Sequence, residues 1–253
     1  MLSKALIKQI RSLQIKKFRD SERLFVVEGP KMLTELIASP QWKIDQVYSI
    51  DDSLVEEICP SAPSTIVTDK ELDQISGLST PNKVLATVHY KAEKDDKVKI
   101  SSGFHLLLDK IQDPGNLGTI IRVADWFGVD GLVCSTDSVD FYNPKVIQAS
   151  MGSVFRVSIQ YVNLASFLGE NSKSVKLPVY AAMLEGENLY NSPLSKDGFL
   201  LMGNESKGVD DLLNKFITNK IHIPSGKSIG PKAESLNVAI ASAIICSEWA
   251  RKR

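Results

Sequence analysis

Three stretches of this sequence combine glycine, amide and charged side chains as ligand-binding turns do: DKIQDPGNLGTIIRVADWFG at 109–128, MGNESKGVD at 202–210 and IPSGKSIGPKAESLNVAIA at 223–241. Each directly follows an apolar run that reads as a β-strand, and open parallel sheets bind ligands at the carboxyl ends of their strands. In the first stretch, Pro114-Gly115-Asn116 makes a turn, and Asn116 is placed to cap a helix beginning at Leu117. Gly118 permits close approach of another backbone. Arg122 is expected on the helix face opposite Leu117, Ile120 and Ile121. It is there either a solvent-facing surface residue or a guanidinium that holds phosphate or ribose oxygens in a fixed fork. More familiar chemistries fail on spacing. GNLG at 115–118 lacks the GxGxxG of a dinucleotide fold, and SGKS at 225–228 lacks the leading glycine of a Walker loop.

The elements that must hold these stretches follow from periodicity. Strand candidates are HLLLD at 105–109, GLVCS at 131–135, LPVYAAM at 177–183, GFLLMG at 198–203 and IHIP at 221–224. Runs this apolar suit a parallel sheet covered on both faces. Helical spacing is clearest at 117–127, ended by Gly128, and at 236–250, where Leu236, Ile240, Ile244 and Ile245 recur. Ahead of this block lies a smaller α/β alternation. It comprises a helix at 4–18 with Leu6, Ile10 and Leu13 on one face, strands at 25–28, 44–50, 65–67 and 84–90, and a short helix opened by Gly29-Pro30. The charged segment KAEKDDKVKISSG at 91–103 separates the two blocks, so the expected domains are 1–98 and 99–253.

The motifs Asn116-Leu117-Gly118 with Arg122 and Ala124, Gly203-Asn204-Glu205 with Gly208, and Ile223-Pro224 with Glu234-Ser235-Leu236-Asn237-Val238 closely resemble the three signatures of the SpoU/TrmH family, over about residues 103–253. That resemblance implies an α/β trefoil-knot methyltransferase domain with a mostly parallel sheet. The first block is similar to the small α/β ribosomal-protein-like domain that often precedes it and binds the RNA substrate; FVVEGPKMLTEL at 25–36 matches its usual opening. The implied activity is S-adenosyl-L-methionine-dependent methylation of an RNA ribose 2′-hydroxyl, with 23S ribosomal RNA ahead of transfer RNA. A base methyltransferase and a catalytically inactive RNA-binding assembly protein are the alternatives. By the resemblance, Arg122 engages the target 2′-hydroxyl. Gly203, Ile223 and Leu236 surround the cofactor with backbone groups. Asn116, Glu205, Ser235 and Asn237 order the crossing loops and the active site. The resemblance also implies a homodimer formed through the knotted domain, with Trp249 at the interface or in the core. The sequence departs from the family pattern in its lengthened segment GKSIGPKA at 226–233, expected at the cofactor or substrate rim, and in Lys207, which faces RNA or water.

Composition narrows the setting. The 253 residues carry 30 Lys+Arg against 30 Asp+Glu, and residues 1–100 and 101–253 each hold 15 of either sign. An RNA partner must therefore be gripped by local patches rather than by a uniformly basic domain. Residues 1–20 supply one such candidate, with six Lys/Arg opposed only by Asp20; a merely solvated helix face is the other reading. Cys59, Cys134 and Cys246 are scattered and read as buried small hydrophobes, and no metal cluster is expected. The opening residues lack a signal-peptide pattern and no run is long enough to span a bilayer, which points to a cytoplasmic protein without a membrane partner.

Overall fold

The computed structural model describes residues 1–91, 100–226 and 234–252. The chain opens with α1 (Lys4–Ser12), α2 (Lys16–Glu22), β1 (Leu24–Glu28), α3 (Pro30–Ile37), β2 (Ile44–Ser49), α4 (Asp52–Ile58), β3 (Ser64–Ile66), α5 (Asp69–Ile75) and β4 (Val84–His89). It continues with β5 (Phe104–Leu108), α6 (Pro114–Phe127), β6 (Gly131–Ser135), α7 (Pro144–Ser150), β7 (Ile159–Val162) and α8 (Leu164–Ser174). It ends with β8 (Val179–Asn188), β9 (Gly198–Met202), β10 (Asn219–His222) and α9 (Val238–Arg251). These elements group into two compact units. The first holds the described residues within Met1–Asp95 together with Asp140–Arg156, and the second holds the remainder. The pattern of the sequence places 140–156 with the later residues; by contact they belong with the first unit.

The first unit is a four-stranded sheet in the order β1-β4-β2-β3, antiparallel except for the β2/β3 pair. Ile10, Leu13, Val26, Tyr48, Leu72, Ile75 and Leu85 fill its core. The single helix expected at 4–18 is two helices. At about 100° per residue, a straight helix with Ile10 inward would carry Arg19 on the opposite side. The break after Ser12 turns Arg19 inward instead, leaving it 1% exposed. Its guanidinium donates to the Leu13 carbonyl at 2.9 Å and to Asp140 Oδ2 at 2.7 Å. Arg19 is thus removed from the basic face that the sequence offers. The 140–156 segment is tied in further by Tyr142, stacked on Tyr90 at 3.7 Å, and by the Phe155 carbonyl, which accepts from Trp42 Nε1 at 3.0 Å.

The second unit is built on a six-stranded sheet in the order β10-β8-β9-β5-β6-β7, and every pairing in it is parallel. The central strands β5, β6 and β9 are buried along their whole length, which explains their unbroken apolar sequence. Leu107, Val133, Ala181, Phe199 and Leu201 pack with Leu164 and Leu168 of α8 in one core. Helices α6 and α9 pack against each other. Trp249 of α9 is core: it is 1% exposed and stacks on Phe104 at 3.8 Å. All three cysteines are free and buried. No helix among the described residues is long and apolar enough to cross a membrane.

Candidate active site

The site begins where β5 ends. Lys110 turns the chain with a left-handed backbone (φ 55°), and its N–H donates to Ser135 Oγ at 2.8 Å, at the end of β6. Its carbonyl accepts from Asn204 Nδ2 at 2.8 Å, and its ammonium pairs with Asp210. That bond raises the lysine pKa and lowers the aspartate's. Beside it, buried Asp109 accepts from the Asp210 N–H at 2.8 Å; burial pushes its carboxyl above the ordinary range. The loop leaving β9 is thereby fastened to the loop leaving β5.

Within that β9 loop, a Cβ on Gly203 would stand 2.3 Å from the Gly208 carbonyl carbon, so only glycine lets the two strands of the turn lie this close. Asn204 and Gly208 exchange two backbone hydrogen bonds of 2.9 Å, and Asn204 Oδ1 accepts from the Ser206 and Lys207 N–H groups at 3.0 and 3.1 Å. The turn holds Glu205 outward over the start of α6.

Asn116 meets it there. The cap of α6 is Asp113, whose Oδ1 accepts from the Asn116 N–H at 2.8 Å, and the helix begins at Pro114 rather than at Leu117. Proline has no N–H to satisfy and is favoured at a first helical position, so the start shifts forward by one turn. The shift frees the Asn116 side chain from the capping role expected of it. Asn116 Nδ2 donates to Glu205 Oε1 at 2.9 Å, and Asn116 Oδ1 accepts from Asn237 Nδ2 at 2.9 Å. Asn237 caps α9, its Oδ1 accepting from the Ala239 and Ile240 N–H groups at 2.9 and 3.3 Å. Glu205 Oε2 receives a longer bond of 3.3 Å from Asn204 Nδ2.

One residue from each of the three stretches is therefore joined to the next by side-chain hydrogen bonds. Gly203 lies in the same β9 loop as Glu205. Arg122 is exposed and its guanidinium makes no hydrogen bond or ion pair with the described residues; six residues along α6, it is turned about 120° from Asn116. Ser235 and Leu236 are exposed, Ile223 is half-buried, and none of them bonds to the Asn116 group. Of GKSIGPKA, residues 227–233 lie outside the described residues. Sequence reasoning names Asn204 only as part of a motif and misses Asp109, Lys110 and Asp210. Asp109 and Lys110 carry a positional signal, directly after a strand, whereas Asp210 carries none.

Comparison with known proteins identifies the family of the chain. Residues 103–247 match the model of the SpoU rRNA Methylase family, and residues 4–86 match that of the MRM3-like substrate binding domain. A 23S rRNA (guanosine(2553)-2′-O)-methyltransferase of Bacillus subtilis is 30% identical over 94% of this chain and 93% of its own length. A TrmH-family chain from Porphyromonas gingivalis superposes with a TM-score of 0.89 at 36% identity, covering 100% of both chains. An AdoMet-bound rRNA methyltransferase from Sinorhizobium meliloti superposes with a TM-score of 0.87 at 29% identity, covering 100% of this chain and 96% of that one. With that family's model matched across more than half the sequence, the chain belongs to the SpoU rRNA Methylase family and is an RNA methyltransferase.

Proposed function

We propose that the protein transfers the methyl group of S-adenosyl-L-methionine to a ribose 2′-hydroxyl of 23S ribosomal RNA. The observation that carries this reading is the joining of Asn116, Glu205 and Asn237, one from each motif stretch, around a glycine-walled turn. The B. subtilis relative and the S. meliloti neighbour, both named for ribosomal RNA, favour that substrate over transfer RNA.

The residues present fit the cofactor. The close Gly203/Gly208 approach leaves main chain rather than side chain facing a ligand, and the exposed Leu236 and half-buried Ile223 offer apolar contact for a nucleoside. When bound, the cofactor supplies a sulfonium-activated methyl group. A new C–O bond forms as the C–S bond breaks, and the hydroxyl proton is lost. In-line displacement of this kind gains most from orientation, so the chain's work is to hold the ribose in place. Arg122, permanently protonated, is a poor base and a good fork for ribose and adjacent phosphate oxygens. The proton leaves with the help of phosphate or solvent. Ser235, Asn237 and Glu205 keep the loops in register. R122K is expected to lose turnover by about tenfold or more with little change in cofactor affinity; nearly unchanged turnover contradicts the fork.

The working form is a homodimer. Trp126 is 82% exposed and Ile240 53%, on the paired helices α6 and α9. Ile240→Glu is expected to yield monomers in sedimentation; an unchanged dimer places the interface elsewhere. The chemistry is tested by supplying methyl-labelled cofactor and undermodified ribosomal RNA, then digesting to nucleosides. Label in a 2′-O-methylnucleoside is expected, whereas label on a base, or none with tight RNA binding, refutes the reading.

A further inference from the structure

The bonds joining Asn237, Asn116 and Glu205 have a direction, and both ends impose it. A carboxylate only accepts, so Asn116 must turn its NH2 group to Glu205 and is left with its carbonyl oxygen toward Asn237. At the other end, the first N–H groups of α9 need an acceptor, so Asn237 must give them its oxygen and is left with its NH2 group toward Asn116. The two requirements agree at Asn116, and every donor faces an acceptor. We infer that Asn237 is a positioning residue that acts through the orientation of the Asn116 amide. Together the three residues form a directional relay running from the α9 terminus to Glu205, and the register of the cofactor-binding loops depends on its direction. The inference rests on the cofactor reading above.

The direction makes the claim separable from ordinary packing. Replacing Asn237 by aspartate keeps the shape and still caps α9, but sets Asn116 between two carboxylates, so its oxygen must face one of them. Replacing Glu205 by glutamine alone forfeits only the longer bond from Asn204, because the new amide oxygen can still accept from Asn116. Combining the two reverses the whole relay. Asn116 then donates to the aspartate at position 237, the glutamine at position 205 donates to the Asn116 oxygen, and its own oxygen accepts from Asn204. Every group is again paired.

The test is a double-variant cycle read by calorimetric affinity for S-adenosyl-L-methionine without RNA, so it stands apart from the identity of the RNA. Wild-type binding establishes the cofactor reading by itself, before any variant is compared. N237D should weaken binding by about tenfold or more, the cost of a polar group left facing its like. E205Q should weaken it by less than about threefold. N237D/E205Q should bind more tightly than N237D, within about threefold of E205Q. Should N237D not fold, thermal melting of N237D/E205Q against E205Q gives the same reading, with equal midpoints expected. Losses that simply multiply in the double variant, or an N237D protein that binds as wild type does, overturn the relay.

Discussion

Both units use polar side chains to fasten distant segments, but they place them differently. In the first unit, Arg19 is sealed in the interior and holds Asp140, 121 residues away, by a bond of 2.7 Å. In the second, Asn116 also bridges 121 residues, to Asn237, yet the relay lies at the surface where solvent reaches Glu205 and Asn237. A buried charge costs several kcal/mol to strand and makes a strong architectural constraint. An exposed amide relay costs less to break than a buried ion pair and can face a ligand. The first arrangement serves the fold and the second the site.

The largest effect is expected at Arg19. Arg19→Met leaves Asp140 largely enclosed without its cation and should destabilise the first unit by about 3–5 kcal/mol, read from chemical denaturation. A loss below about 1 kcal/mol would mean that the pair is dispensable and that burial does not separate the two regions. Next, Gly203→Ala forces the backbone at Gly208 to move and is expected to cost about 1–3 kcal/mol while weakening cofactor affinity. Unchanged affinity would detach the turn from the cofactor. Asn237→Ala should act in the opposite sense to Arg19→Met. Loss of the α9 cap costs about 1 kcal/mol, while turnover falls by a larger factor than that stability change would produce. Equal sensitivity of stability and turnover would erase the distinction between the two regions.

The smallest effect concerns Glu71, a half-buried carboxylate in a purely local role. Backbone and hydroxyl hydrogen bonds from Thr68, with a further one from the Leu2 N–H, hold its pKa down to about 2. Because the folded value lies below the unfolded one, near 4.5, its contribution is complete above that pH and is lost as pH falls toward about 2. An NMR titration of its carboxyl carbon should show the low midpoint, and Glu71→Gln should flatten this part of the acid-unfolding curve. A midpoint near 4.5 would show that the capping box is not held in solution.

Much of this architecture is legible in the amino-acid sequence. The buried strands β5, β6 and β9 announce themselves as unbroken apolar runs, and the motif loops lie directly after strands because a parallel sheet exposes its turns there. The shorter, half-buried β7 has no such run and gives no comparable signal. Helix breaks are harder. Nothing in the spacing of Leu6, Ile10 and Leu13 reveals that the helix stops at Ser12, since the partner that draws Arg19 inward is Asp140, far along the chain. Asn116 stands out in its motif, but the capping role expected of it belongs to Asp113; Asp113 and Pro114, just upstream, are the better local signal. The partners of Lys110 are not legible, because Asp210 is brought to it by sheet order alone.

The proposed function leaves a single trace in the cell's RNA, one methylated ribose in 23S ribosomal RNA. The most direct measurement maps 2′-O-methyl groups across ribosomal and transfer RNA from cells with and without the gene, complemented by the wild type or by Asn237→Ala. One 23S position is expected to lose its methyl without the gene and to regain it with the wild type but not with the variant. Identical maps with and without the gene, or a mark lost only from transfer RNA, would contradict the proposed function.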